Sequence, residues 1–168
     1  NAMAYVRGNP ADYDHWAELG NLGWSFNELL PYFKRSEKHE QIDSMDSGYH
    51  SSSGELGVTI PNRFKTPYVD GFIEACTAIG IPKNLDYNGK MQEGASLVQS
   101  TIKDGKRVSG AGAFLKPILE RQNLTTITDA RVDKIIFEGK KAIGVQYKKG
   151  GKTIKVNAQN EIILSAGT

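Results

Sequence analysis

The residues able to do chemistry in this chain are few and scattered. The three histidines, His15, His39 and His50, stand far apart, and they share no metal-ligand spacing with the single cysteine, Cys76. No metal centre is expected. His15 sits beside Trp16 on an expected helix and reads as packed or exposed, while Asp12 and Asp14 read as a solvated helix start, not an acid/base pair. There is no Walker-type phosphate loop, and no dinucleotide fingerprint lies between a strand and a helix. Spacing alone therefore assigns no catalytic residue, and on residue chemistry the chain is an α+β domain and nothing more specific.

Bulk composition narrows the partners. The 168 residues suffice for a domain with a core, and 39% hydrophobic with 24% charged residues is ordinary for a soluble globular protein. A net charge of +2 with dispersed Lys and Arg excludes a nucleic-acid footprint. One cysteine allows no internal disulfide, which fits a reducing compartment. No apolar run approaches the roughly 18–20 residues of a membrane span, and no signal-peptide pattern opens the chain.

The elements that would position these residues follow from caps and periodicity. Asn9-Pro10-Ala11-Asp12 starts a helix over about 10–19. Ser25-Phe26-Asn27-Glu28 is a capping box for a second helix to about 38, which Pro31 should kink or divide. Residues 40–56, rich in Ser and Gly, read as a surface loop, followed by a short strand at Gly57–Ile60. Thr66-Pro67 opens a helix to about 79 whose apolar stripe is Val69, Phe72, Ile73, Cys76 and Ile79, so Cys76 reads as core. Residues 84–94 form a polar turn region. A strand is expected at Ser96–Ile102, a turn at Asp104-Gly105, and a helix over about 110–121 with Ser109 as cap, disturbed by Pro117. Runs at Leu124–Thr128, Val132–Phe137, Ala142–Tyr147 and Thr153–Val156 predict a β-meander turning at Glu138-Gly139-Lys140 and Lys149-Gly150-Gly151. It leads into a buried parallel strand at Glu161–Leu164. Both ends read as cut: Asn1-Ala2-Met3 is either a cloning scar or native sequence, and the apolar run stops at Ser165-Ala166-Gly167-Thr168.

Five blocks in order carry a resemblance over nearly the full length. They are Met3-Ala4-Tyr5-Val6-Arg7-Gly8 with Trp16, Gly23-Trp24-Ser25 and Leu30-Pro31-Tyr32-Phe33; Tyr49-His50 with Gly54; Asp86-Tyr87-Asn88-Gly89 with Gln92-Glu93-Gly94; Gly105-Lys106-Arg107-Val108-Ser109 with Ala113–Pro117; and Asn123-Leu124-Thr125 with Ala130-Arg131-Val132, ending in Leu164-Ser165-Ala166-Gly167. Together they resemble the flavin-binding half of glucose–methanol–choline (GMC) oxidoreductases, closest in flavour to the bacterial choline and alcohol dehydrogenases.

The resemblance implies an α+β fragment of an FAD/NAD(P)-binding-type domain, with a helical first half, then a β-meander and a terminal strand. Residues 1–40 would be a flavin-crossing segment and helices, 41–122 an inserted helical and loop region, and 123–168 the meander and strand. It implies FAD as cofactor of a parent enzyme that oxidises a small-molecule alcohol. Asn1, Ala2, Met3 and Ala4 would pack on the isoalloxazine ring, the Val132 backbone would meet the adenine edge, and Ala166 and Gly167 would lie near the pyrophosphate and ribose. No residue of the chain is implied as catalytic; the family's Gly-rich phosphate turn would precede residue 1 and its catalytic histidine would follow Thr168. Arg107 and Ser109 are expected to bridge and cap, and Trp24 and Tyr32 to be core. The fragment alone is expected to be inactive, without bound FAD, and self-associating. The expected location is cytoplasmic, peripheral to the inner membrane in the parent. The alternatives are a non-enzymatic truncated product or interaction module reusing the fold, and an unrelated α+β binding domain.

Overall fold

The computed structural model describes residues 2–61 and 66–167. The chain divides into two compact units, Asn1–Glu120 and Arg121–Thr168. The expected catalogue of helix signals is largely realised in the first. Helix α1 spans Pro10–Glu18, with the Asn9 side chain accepting from the Ala11 amide. Helix α2 spans Phe26–Ser36 behind the Ser25/Glu28 capping box. It runs through Pro31 as one helix, so the expected division does not occur. Tyr13 of α1 meets Phe26 and Phe33 of α2, and that aromatic packing holds the turn that Pro31 weakens. Helix α3 covers Pro67–Ala78. Its apolar stripe is only partly covered: Ile73 is buried, whereas Phe72 and Ile79 are exposed.

Strand β1 (Glu37–His39) continues directly from α2 and pairs in parallel with β2 (Leu56–Val58). The segment between them is not a free surface loop. The Gly54 amide bonds the Glu37 carbonyl and the His39 amide bonds the Ser51 carbonyl, and His50 is buried. Gly54 is required by that approach, because a Cβ there would collide with the backbone of Ser36 and Glu37. A two-residue hairpin follows, β3 (Ile102–Lys103) and β4 (Lys106–Arg107), turning at Asp104-Gly105 with both residues at positive φ. The longer strand expected at Ser96–Ile102 is reduced to β3 and to isolated bridges of Ser100 with Ala4 and Thr59. The helix expected over 110–121 is a π-helical turn, Ala111–Leu115, followed by a 3₁₀ turn, Lys116–Ile118. Pro117 has no N–H to continue an α ladder. Ser109 caps this turn, its Oγ accepting from the Gly112 amide.

The second unit is the meander: β5 (Arg131–Glu138), β6 (Lys141–Lys149) and β7 (Lys152–Asn157), all antiparallel in the order β5-β6-β7. Gly150-Gly151, both at positive φ, make the two-residue turn that suits the twist of the flanking strands. Two expectations fail here. Leu124–Thr128 and Glu161–Leu164 are not in strands, and Ile163 and Leu164 are exposed. A strand exists only by pairing its backbone, and among the described residues neither run has a ladder partner.

The buried set is unusually polar. Against Phe26, Val58, Ile73, Ala95, Ala113 and Tyr147 stand Arg7, Glu37, His39, His50, Thr59, Asn88, Gln99 and Ser100. Trp24 and Tyr32, expected as core, are exposed.

Candidate functional site

Two sets of residues matter, and they differ in how well the sequence announced them. The first is the set expected to meet the cofactor. Asn1 lies outside the described residues. Ala2 and Met3 both adopt left-handed backbone, at φ 48° and 63°, unusual for two consecutive residues other than glycine. Ala2 and Ala4 are exposed. Ala4 bridges Ser100, and the Met3 carbonyl accepts from the Thr101 amide at 2.8 Å. Val132, in the second unit, sits on β5 opposite Tyr147, beside a register irregularity, with its side chain exposed. Because β5 is an edge of its sheet, alternate backbone groups face away from β6. Ala166 and Gly167 are exposed, and Gly167 has φ 102° with open space where a Cβ would stand.

The second set was not announced as a site. Arg7, Glu37, His50 and Asp86 form a row of alternating charge. The Arg7 guanidinium is paired with Glu37 Oε2 and donates to the Tyr49 carbonyl at 2.6 Å. His50 Nδ1 lies 2.7 Å from Glu37 Oε1, and its Nε2 lies 2.9 Å from Asp86 Oδ2. A carboxylate accepts only, so a ring facing one from each nitrogen must carry both protons. Burial by itself pulls the His50 pKa down, but hydrogen bonds to Asp86 and Glu37 and their charges outweigh it and lift it to about 9. Burial pushes the Asp86 carboxyl up, and the bond to His50 and its charge more than reverse that, holding it below the usual range. The row is thus two cations and two anions, charge-balanced inside the first unit.

His39 meets His50 edge-on, with ring centroids 5.3 Å apart, which corrects the reading of the histidines as far apart. Glu37, His39 and His50 present ligand atoms within 4.8 Å of one another. The hydrogen bonds argue against a cation there. His39 Nδ1 accepts the Gln41 amide at 3.1 Å, so the neutral ring carries its proton on Nε2, which has no partner. Burial, ahead of the neighbouring charges, holds the His39 pKa down. A metal ion there would have to break the His50–Glu37 hydrogen bond and take a proton from the doubly protonated His50 ring.

Asp86 joins this row to an amide ladder. Its Oδ1 accepts from Gln99 Nε2 at 2.9 Å and from the Asn88 amide at 3.2 Å. Asn88 Nδ2 donates to Gln99 Oε1 at 2.8 Å and to the Tyr5 carbonyl at 2.9 Å. Several of these residues belong to the recognised blocks, Arg7, His50, Asp86 and Asn88 among them. Their mutual contact spans too much sequence for any spacing rule to reveal it.

A family model for GMC oxidoreductases matches residues 1–168. The chain belongs to the GMC oxidoreductase family. It is 40% identical over 169 residues to the oxygen-dependent choline dehydrogenase of Photobacterium profundum, covering 100% of this chain and 29% of that protein. With human mitochondrial choline dehydrogenase it is 41% identical, covering 99% and 27%. Among solved GMC-like structures, pyridoxine 4-oxidase from Mesorbium loti matches with a TM-score of 0.83 at 31% identity, covering 94% of this chain and 31% of that one. An FAD-dependent oxidoreductase from Chaetomium thermophilum matches with a TM-score of 0.82 at 31% identity, covering 95% and 29%. The chain thus spans roughly 30% of the length of these relatives, and its mixed helix-and-strand architecture is that of the family's FAD-binding domain. No helix among the described residues is long and apolar enough to cross a membrane.

Proposed function

We propose that this chain is the flavin-facing part of an FAD-dependent oxidoreductase acting on CH–OH groups, whose parent oxidises choline or another primary alcohol. The observation that carries the reading is the agreement with choline dehydrogenases over 99–100% of the chain at 38–41% identity. Three local features suit the cofactor. Left-handed backbone at Ala2 and Met3, with the small and exposed Ala2 and Ala4 there, offers a flat ring close approach. The edge strand β5, which carries Val132, has backbone groups not taken by β6 that suit an adenine edge. Gly167, with nothing near its absent Cβ, offers a phosphate or ribose the same close approach.

In this reading Asn1, Ala2, Met3 and Ala4 hold the ring, Val132 the adenine, and Ala166 and Gly167 the pyrophosphate and ribose. FAD, when bound, accepts the hydride. The chain's own residues bind and orient it, and the base that takes the hydroxyl proton is a histidine outside these 168 residues. A cytoplasmic location, peripheral to the inner membrane, goes with this assignment.

The full-length gene product should purify yellow, absorbing near about 450 nm, and should bleach when choline is added without oxygen. A colourless full-length protein would reject the reading and favour the interaction module. The isolated 168-residue chain should instead be colourless and oxidise no alcohol. It should also self-associate in light scattering through exposed apolar residues such as Phe72, Ile79, Ile163 and Leu164.

A further inference from the structure

The turn at Ala2 and Met3 needs support. Left-handed backbone is unfavourable for a residue that carries a Cβ, so its surroundings must hold it there. The supports come from elsewhere in the first unit. The Tyr5 amide bonds the Gln99 carbonyl at 2.8 Å, and the Thr101 amide bonds the Met3 carbonyl at 2.8 Å. Two side chains then clamp the backbone just downstream. Asn88 Oδ1 accepts the Arg7 amide at 2.8 Å while its Nδ2 donates to the Tyr5 carbonyl at 2.9 Å. The Tyr87 hydroxyl donates to the same Tyr5 carbonyl at 3.0 Å and accepts the Gln99 amide at 2.6 Å. Asn88 is only 3% exposed, so water cannot substitute for these partners.

The direction of the clamp is dictated from one end. The Asp86 carboxylate is an acceptor only, so Gln99 must turn its NH₂ toward it. Gln99 Oε1 is then left facing Asn88, which must answer with its own NH₂. That NH₂ also meets the Tyr5 carbonyl, and the remaining Asn88 Oδ1 meets the Arg7 amide. A single carboxylate thereby sets the polarity of two amides and, through them, the register of residues 5–7. An inverted Asn88 would oppose carbonyl to carbonyl and amide to amide.

We propose that Asn88, oriented through Gln99 by Asp86, is a positioning residue that clamps the Tyr5 and Arg7 backbone and so fixes where Ala2–Ala4 stand against the flavin. The proposal rests on the function assigned above. It requires Asn88 to act without touching the cofactor, through residues 5–7 and the left-handed turn that precedes them. It also gives the isosteric change Asn88→Asp a specific meaning: size is kept, but an acceptor faces the Tyr5 carbonyl and Gln99 Oε1.

The test uses the flavin-loaded full-length gene product carrying Asn88→Asp or Asn88→Ala. Ser25→Ala serves as the control, because it removes the α2 capping box and lowers stability without contacting residues 2–7. Three quantities are read in the folded, flavin-bound fraction: amide exchange of a peptide covering residues 1–8, visible circular dichroism of the bound flavin, and the anaerobic reduction rate at saturating alcohol. Both Asn88 variants should speed exchange at Tyr5 and Arg7, change the flavin dichroism, and slow reduction about ten- to a hundredfold, with KM little changed. Ser25→Ala should lower the melting temperature and leave all three readouts alone. If Asn88→Asp does not accumulate, Asn88→Ala, which creates no opposed acceptors, decides by the same readouts. Asn88 variants that lose only melting temperature, like the control, would overturn the proposal while the function stands. A wild type without flavin would overturn both.

Discussion

Replacing Glu37 by alanine should remove a large fraction of the stability of the first unit. Glu37 is fully buried and answers two cations at once, Arg7 through Oε2 and His50 through Oε1. Without it the Arg7 guanidinium keeps the Tyr49 carbonyl, but no carboxylate balances it, and His50 keeps only Asp86. Breaking a buried pair by removing one partner costs about 3–5 kcal/mol, because the other charge stays desolvated and uncompensated. Set against a typical domain stability of about 5–15 kcal/mol, that is a large fraction. Trp16 and Trp24 lie in the first unit and are the chain's two tryptophans, so their emission in a urea titration reports on it. Glu18→Ala, at an exposed residue paired loosely with His15, should shift the midpoint little. A Glu37→Ala midpoint as close to wild type as that of Glu18→Ala would mean the charge row contributes nothing.

Stability should also fall as the pH rises through about 9, and His50 is the reason. The groups facing its ring are Glu37 and His39 from β1, Asp86 from the 84–94 turn, and Arg7 beyond Glu37. Its folded pKa of about 9 stands above an ordinary 6.5. A group held protonated by the fold contributes fully below its unfolded pKa and loses that contribution as the pH climbs to the folded value. The interval from 6.5 to about 9 corresponds to about 3 kcal/mol. Asp86 acts with the opposite sign. Its pKa is depressed, so its contribution is present above the ordinary carboxylate value and is lost as the solution is acidified through the folded one. The row should therefore be firmest between roughly pH 4 and 6.5. Thermal melts of wild type and His50→Gln across pH 5 to about 10 read this directly. The wild-type curve should decline through the upper half of that range, and the variant should start lower and stay flatter there. Parallel curves would exclude a charged His50.

What was legible in the sequence was local. Asn9 and the Ser25/Glu28 box announce their helices because a cap and its amides lie within one turn, and Gly150-Gly151 announces its hairpin because positive φ is required at both positions. The runs at Leu124–Thr128 and Glu161–Leu164 mislead for the converse reason. Their composition suits strands, but a strand is made by its neighbour, and composition does not say where the neighbour is. Trp24, just ahead of α2, and Tyr32, on it, mislead because an aromatic side chain suits burial without saying what covers it. The charge row was invisible because Arg7, Glu37, His50 and Asp86 occupy four separate segments, each reading as an ordinary polar position. His50 in particular lay in a Ser- and Gly-rich stretch that resembles solvent-exposed loop, and its backbone bonds to β1, from Gly54 and to Ser51, bring that stretch inside.

The same charge row has a consequence for the order in which the chain assembles. Its links join residues 30, 13 and 36 positions apart, and the Asn88 clamp reaches back 83 positions to Tyr5. None of these rewards the chain until a long loop has closed, whereas the hairpins of β5, β6 and β7 close over two residues each. Loop closure of that kind slows folding far more than it weakens the finished state. The meander should therefore form first after dilution from urea, with the burial of Arg7 and His50 as the late step. Stopped-flow tryptophan emission from the first unit should lag the strand signal in far-ultraviolet dichroism. Until that late step is complete, residues 2–7 lack their clamp, and the left-handed turn at Ala2 and Met3 is not yet held in place.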